Sequence, residues 1–282
     1  MWHLDPPSLS ARESWKTCTS ASRDTEKNEN LGTRLRGAIG IAEAAAAAFR
    51  VAAESGTLHD LKPSDFKIGG IADDRVKDIA YISGMTQGAG RAIYDALMTA
   101  PEDELCPLCK HSDVSELDHV MPKDQYPALC VAPENLVPVC GICNKRKGNA
   151  APDEAGKVLL HPYFEHLSTA NWLQAIVIPD TQGRLKYTVS VPSGWGDVFT
   201  ARVEHQFKFL YLGKRYSSRA NQTLRGMRGF LADYLERKGA DGIRAHLEEL
   251  AASHLMDDPN GWKGVAYRSW AADPSFCSGS FQ

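Results

Sequence analysis

The strongest constraint on the fold of this chain is a pair of Cys-x-x-Cys motifs, CPLC and CGIC, with 30 residues between them. Two residues between cysteines allow a tight turn to direct both sulfurs at one tetrahedral ion. Two such turns close the loop between them, whereas a redox pair needs only one. The motifs therefore predict a structural zinc site with the ligands Cys106, Cys109, Cys140 and Cys143. Because thiolates fill all four coordination positions, this ion is expected to fix geometry and to take no part in chemistry.

The composition is that of an ordinary soluble globular protein, with 43% apolar and 24% charged residues in a chain of 282. No apolar run reaches the roughly 18 residues of a membrane span, so no membrane partner is expected. The N-terminal sequence lacks the basic and apolar segments of a secretory signal. Seven cysteines are too few for a disulfide scaffold and fit a reducing compartment. We therefore expect a cytoplasmic protein.

The charge is small overall but uneven. A net charge of −3 argues against a protein that coats nucleic acid indiscriminately. Residues 202–238, however, contain nine Lys or Arg against three Asp or Glu. This excess indicates either a solvated helical face or a surface that contacts phosphates.

The pattern of apolar and turn residues predicts an α+β fold that is mainly α. Helical segments are expected at about 197–212, 216–238, 241–255 and 260–271, with Gly239 and Pro259 as stops. The strand-like runs 173–179 and 184–192 flank DTQG and predict one small hairpin. The expected regions are a polar, disordered N-terminus (1–30), a helical N-terminal region (31–103), the cysteine-rich unit (104–165), and a hairpin followed by helices (166–282).

Inside and directly after the cysteine loop lie residues suited to phosphodiester hydrolysis, Asp118 and His119 in LDHVMPK, Asn135 in PENLVP, and Asn144 in CNKRKGN. An imidazole with a pKa near 6.5 suits a general base at neutral pH. Asp118 offers a hard carboxylate oxygen for a divalent cation, and Asn144 offers a neutral amide oxygen. Such a site holds a cation weakly and leaves room for water and substrate phosphate, which favours Mg²⁺ or Mn²⁺.

The combined run from the first Cys-x-x-Cys through LDHVMPK and ENLVPVC to CNKRKGN resembles the zinc-bearing branch of the HNH endonucleases. The resemblance implies an embedded ββα-metal unit, with His119 as the base and Asp118 and Asn144 on the catalytic ion. Asn135 matches the middle position of the family motif, which implies that it restrains the loop and orients His119. Some members carry a histidine at the last position and a further ligand one turn later. Asn144 and Gly148 stand there in this chain, which excludes a three-histidine site.

Four basic residues near this motif are candidates for substrate contacts, namely Lys123, Lys145, Arg146 and Lys147. The last three follow Asn144 near the start of the expected helix, where the helix dipole favours acidic residues. Contact with phosphate would explain their position. The alternative is a solvated helix face.

The leading interpretation is a metal-dependent HNH endonuclease that acts on DNA. The resemblance also implies a role as an effector in phage defence or restriction, beside an ATPase or sensor protein. Two alternatives are a non-catalytic zinc module that binds nucleic acid or protein, and an RNA-directed or toxin-like nuclease. The sequence leaves the oligomeric state open.

Overall fold

A computed structural model describes residues 3–24, 29–167 and 170–282 of the chain. It divides into two compact units, Met1–His166 (the first unit) and Leu167–Gln282 (the second unit). The fold is α+β and mainly helical, which confirms the predicted class. Within the described ranges, no helix is both long enough and apolar enough to cross a lipid bilayer.

The helices that precede the cysteine-rich segment enclose the apolar core of the first unit. They are α1 (Ala11–Thr19), α2 (Leu31–Gly37), α3 (Ile39–Glu54), α4 (Asp73–Val76) and α5 (Arg91–Met98), and a wide π-type helix (Lys77–Thr86) continues α4. The alanine-rich α3 buries Phe49 completely and packs its small side chains closely against neighbours. This core extends to Leu129 and Leu136 of the cysteine-rich segment, so the N-terminal helices support that segment directly.

Helix α1 contradicts the prediction that residues 1–30 are disordered. Ser10 and Glu13 form a reciprocal capping box at its start. Trp15 is fully buried, and its Nε1 donates to the Leu35 carbonyl at 2.8 Å. Ser14 Oγ donates to the Val131 carbonyl at 2.6 Å, which ties the helix to the cysteine loop. The segment is polar on average, but one buried indole removes on the order of 200 Å² from water, worth about 5 kcal/mol. Residues 1, 2 and 25–28 lie outside the described ranges.

The cysteine-rich segment folds as two short strands followed by a helix. Strand β1 (Glu116–His119) pairs antiparallel with β2 (Leu136–Val139), with Glu116 opposite Val139 and His119 opposite Leu136. Helix α6 (Gly141–Lys147) begins one residue after Cys140. The ββα arrangement implied by the resemblance is therefore present.

The second unit contains the predicted hairpin and helices. Strands β3 (Leu173–Val177) and β4 (Leu185–Val189) pair antiparallel. They are followed by α7 (Asp197–Phe209), α8 (Leu212–Asp257) and α9 (Trp262–Ala271), and a short π-type turn (Phe276–Ser280) ends the chain. Gly239 breaks α8 with φ 69° and ψ −176°, a conformation open essentially to glycine alone, which confirms the predicted stop.

Candidate active site

The four cysteines of the two motifs converge as predicted. All are buried, and their sulfurs lie within 4.8 Å of one another. The Sγ atoms of Cys109 and Cys140 are 3.8 Å apart. Tetrahedral zinc with Zn–S bonds near 2.3 Å spaces its sulfurs by about 3.8 Å, so the donor set and its size fit a structural zinc ion.

His119 lies at the end of β1 and is almost fully buried. Its Nε2 is 2.9 Å from the Cys130 carbonyl, which can only accept, so Nε2 carries the proton and Nδ1 carries the lone pair. The ring packs edge-on against Tyr81 at 4.5 Å between centroids. Burial, assisted by the nearby ammonium of Lys123, lowers the pKa of His119 to about 3. The imidazole is therefore neutral at physiological pH, as a base must be.

Asp118 faces an unexpected partner. Lys147 Nζ lies 3.1 Å from Asp118 Oδ1 and also donates to the His119 carbonyl, and both charged side chains are less than one-tenth exposed. Burial raises the pKa of Asp118, and the ammonium of Lys147 opposes that rise. In this structure Lys147 is therefore a largely buried counter-ion of Asp118, and its predicted contact with substrate phosphate stays a prediction. Its position on the last turn of α6 directs it back under β1, which sequence spacing does not reveal.

Asn144 is held by a carboxylate that sequence reasoning missed. Its Nδ2 donates to Glu116 Oε2, which leaves the amide oxygen directed away from Glu116. Glu116 and Asp118 are two residues apart on β1, so their side chains share one face of the strand. That period-two spacing was the available signal for Glu116.

Asn135 connects the two ends of the loop between β1 and β2. It is fully buried, accepts from the Met121 amide at 2.7 Å and donates to the Met121 and Leu129 carbonyls at 3.0 and 3.2 Å. The carbonyl that orients His119 belongs to Cys130, the residue after Leu129. Asn135 thus fixes the backbone directly beside the carbonyl to which His119 is bonded.

Most of the acidic, imidazole and amide groups described above line one cleft of about 360 Å³. Five of the predicted site residues line it together with Glu116, namely Asp118, His119, Lys123, Asn144 and Lys145. Lys123 also lies over the Tyr81 ring at 5.4 Å. Arg146 and Lys147 are outside this lining, and Asn135 lies behind it in the core.

The donor set of the cleft fits a hard divalent cation. Carboxylate oxygens of Asp118 and Glu116 and the amide oxygen of Asn144 are ligands that Mg²⁺ and Mn²⁺ accept, and Mg²⁺ commonly uses only one or two carboxylates beside water and phosphate. The four cysteines, which would bind a soft metal through sulfur, form a separate cluster. Asp118 and Asn144 are the residues that would hold the second ion.

The cysteine-rich segment of this chain is similar to known proteins. Residues 106–150 match the family model described as HNH endonuclease. Protein ea31 of Escherichia phage lambda is 27% identical over 256 residues, which cover 82% of this chain and 85% of that protein. The Septu protein PtuB of Bacillus thuringiensis is 46% identical over 43 residues, which cover 15% of this chain and 17% of that protein. No solved structure shows a detectable match.

Proposed function

We propose that this chain, whose residues 106–150 match the family model described as HNH endonuclease, is a metal-dependent nuclease that hydrolyses phosphodiester bonds in DNA. One observation carries the proposal. A neutral imidazole with a fixed tautomer, His119, lines the same cleft as the oxygen donors Asp118 and Asn144. A structural zinc module has no need for that combination.

In the proposed reaction His119 Nδ1 takes the proton from the attacking water, while Nε2–H stays bonded to the Cys130 carbonyl. A negatively charged phosphate bound in the cleft would oppose the lowering of the pKa of His119 that burial and Lys123 cause. The exposed Lys145 and the cleft-lining Lys123 contact the phosphate oxygens. Asp118 and Asn144 would hold a divalent ion, which when bound would supply charge stabilisation for the phosphate and the leaving oxygen.

Digestion of supercoiled plasmid under a panel of divalent ions tests the proposal, with the zinc content of the purified protein measured beforehand. We expect cleavage with Mg²⁺ or Mn²⁺ and a loss of about 10²–10⁴-fold in His119→Ala, the range for removal of a general base. Full cleavage by His119→Ala would refute the assignment.

The chain offers a matched control in His161→Ala. His161 is also a buried histidine of the first unit, and its Nε2 donates to the Glu134 carbonyl at 3.1 Å. It therefore controls for the loss of a buried imidazole–carbonyl hydrogen bond without removing the base. We expect both variants to be less stable and only His119→Ala to lose cleavage per folded molecule. Parallel assays on RNA and single strands decide whether DNA is the substrate.

The wider role that we propose is that of an effector in phage defence, activated by an ATPase or sensor partner. Support comes from the resemblance of the cysteine-rich segment to bacterial proteins of that kind and from its 43-residue similarity to the Septu protein PtuB. Plaque counts on cells that express the chain with its neighbouring genes, with and without His119→Ala, test this role. Equal plaque numbers in both strains would contradict it.

A further inference from the structure

A basic cleft lies in the second unit and shares no residue with the HNH site. It consists of two adjoining hollows, of about 200 and 380 Å³, that have Arg184 and Asn221 in common. The basic side chains that line them are Arg184, Lys186, Lys214, Arg225 and Arg228. We call these five residues and Asn221 the arginine cleft.

The hairpin turn and α8 build the arginine cleft together. Asn221, Arg225 and Arg228 are spaced i, i+4 and i+7, so they share one face of the helix. The buried Leu224 and Gly183 pack at its floor, where a Cβ on Gly183 would come within 2.5 Å of the Phe276 ring. That close approach, and the 2.8 Å hydrogen bond from Trp270 Nε1 to the Gly183 carbonyl, fix the turn against the helix.

Two polar side-chain atoms in the cleft lack a hydrogen-bond partner among the residues that the structure describes. Arg228 reaches the Gln182 carbonyl at 3.3 Å through one terminal nitrogen. Its Nε, and the Oδ1 of Asn221, are buried and make no hydrogen bond within the described ranges. Unsatisfied buried polar atoms are costly and uncommon, so each of them calls for a bonding partner such as water or a ligand.

The electrostatics of the cleft select an anion. No Asp or Glu is among the residues that line either hollow. Arg184, Arg225 and Arg228 form no ion pair with any described residue, whereas Arg237 on the same helix pairs with Asp233. Convergent guanidinium groups without carboxylates repel one another, and phosphate oxygens relieve that repulsion through bidentate hydrogen bonds.

We propose that the arginine cleft binds consecutive phosphates of a nucleic-acid backbone and holds the substrate of the enzyme. The statement that this nucleic acid is the substrate rests on the proposed nuclease function. The statement that the cleft binds phosphates does not depend on that function. Two connected hollows with five cations suit an extended row of phosphates better than one nucleotide. Such contacts add affinity without reading sequence.

The test measures duplex binding by fluorescence anisotropy over a range of salt concentrations, on the full chain carrying His119→Ala to prevent cleavage. The variant is Arg225→Gln with Arg228→Gln. The matched control is Arg219→Gln with Arg237→Gln, which removes the same charge from exposed positions of the same helix outside the cleft. Melting temperatures are compared for both pairs.

We expect the cleft pair to weaken duplex binding at least about tenfold at low salt. Each phosphate contact contributes about −0.9 to the slope of log affinity against log salt concentration. Loss of both arginines of the cleft should therefore make this slope shallower by about 1.8. The control pair should keep the wild-type slope. Equal affinities and slopes for the two pairs would overturn the proposal.

Two further measurements distinguish a nucleic-acid site from a nucleotide site, and distinguish failure of the cleft proposal from failure of the nuclease proposal. Inorganic phosphate and a deoxynucleoside triphosphate are titrated as competitors. Suppose that the triphosphate binds tightly to the parent protein and not to the Arg225→Gln, Arg228→Gln variant, while both bind duplex equally well. That result would identify a nucleotide site and overturn our assignment. The binding assay needs no cleavage. An inactive protein with a cleft-dependent salt slope would therefore refute only the nuclease function.

Discussion

Replacement of Lys147 by methionine gives the sharpest test of the site geometry. The ammonium of Lys147 and the carboxylate of Asp118 lie 3.1 Å apart, and both side chains are less than one-tenth exposed. Removing one partner of such a pair leaves an uncompensated buried charge, which typically costs about 3–5 kcal/mol. A folding unit of this size loses about 2–4 °C of melting temperature per kcal/mol, so we expect a fall of roughly 10 °C.

The cost should depend on pH with a defined sign. Burial raises the pKa of Asp118, and loss of Lys147 removes the main opposing charge, so its folded pKa rises further above the unfolded value. Between these two pKa values the folded state binds more protons than the unfolded state, so the stability of the variant falls as the pH rises from the unfolded pKa to the folded pKa of Asp118. Lys147→Met should therefore be more destabilised at pH 8 than at pH 5.

Scanning calorimetry at saturating zinc measures these effects, with Lys145→Met as the control. Lys145 is exposed and precedes the buried lysine by two residues on α6, so its loss should change stability by less than about 0.5 kcal/mol. The double variant Lys147→Met with Asp118→Asn should recover much of the stability while remaining inactive. If Lys147→Met were as stable as Lys145→Met but bound duplex more weakly, Lys147 would be the phosphate contact that the sequence suggested.

Three further predictions concern the same domain. Glu116→Gln should lower the cleavage rate about tenfold, because a neutral amide orients Asn144 less firmly than a carboxylate does; unchanged zinc content and an unchanged rate would together contradict this. Cys143→Ser should release zinc and reduce cleavage although no sulfur contacts substrate, since Asn144 follows the cysteine directly on α6; a folded variant with full activity would break that link. The pKa of His119 is about 3 in the folded state and 6.5 in the unfolded state, so its contribution to stability is complete above pH 6.5 and is lost as the pH falls toward 3. Chemical denaturation over this pH range should show a smaller loss of stability in His119→Gln than in the wild type. Parallel curves for the two proteins would refute this prediction.

Much of the candidate site could be predicted from sequence because it is encoded locally. Spacing within each Cys-x-x-Cys turn brings two sulfurs together, and the hairpin between the motifs brings the pairs together. Asp118, His119 and Asn144 lie within two residues of an end of β1 or a cysteine ligand, so their convergence follows from the same closure. The hairpin of the second unit and the break at Gly239 were likewise set by turn residues and glycine geometry.

What only the tertiary structure decided depends on contacts distant in sequence. Trp15 orders α1 by burial against Leu35, although the segment around it is polar. Lys147 pairs with Asp118 because α6 packs its last turn beneath β1, a contact that spacing along the chain does not show. The arginine cleft requires Arg184 of the hairpin to meet Arg225 of α8, 41 positions later. Charge and polarity are properties of single residues, whereas burial and the choice of partner arise only when distant segments pack.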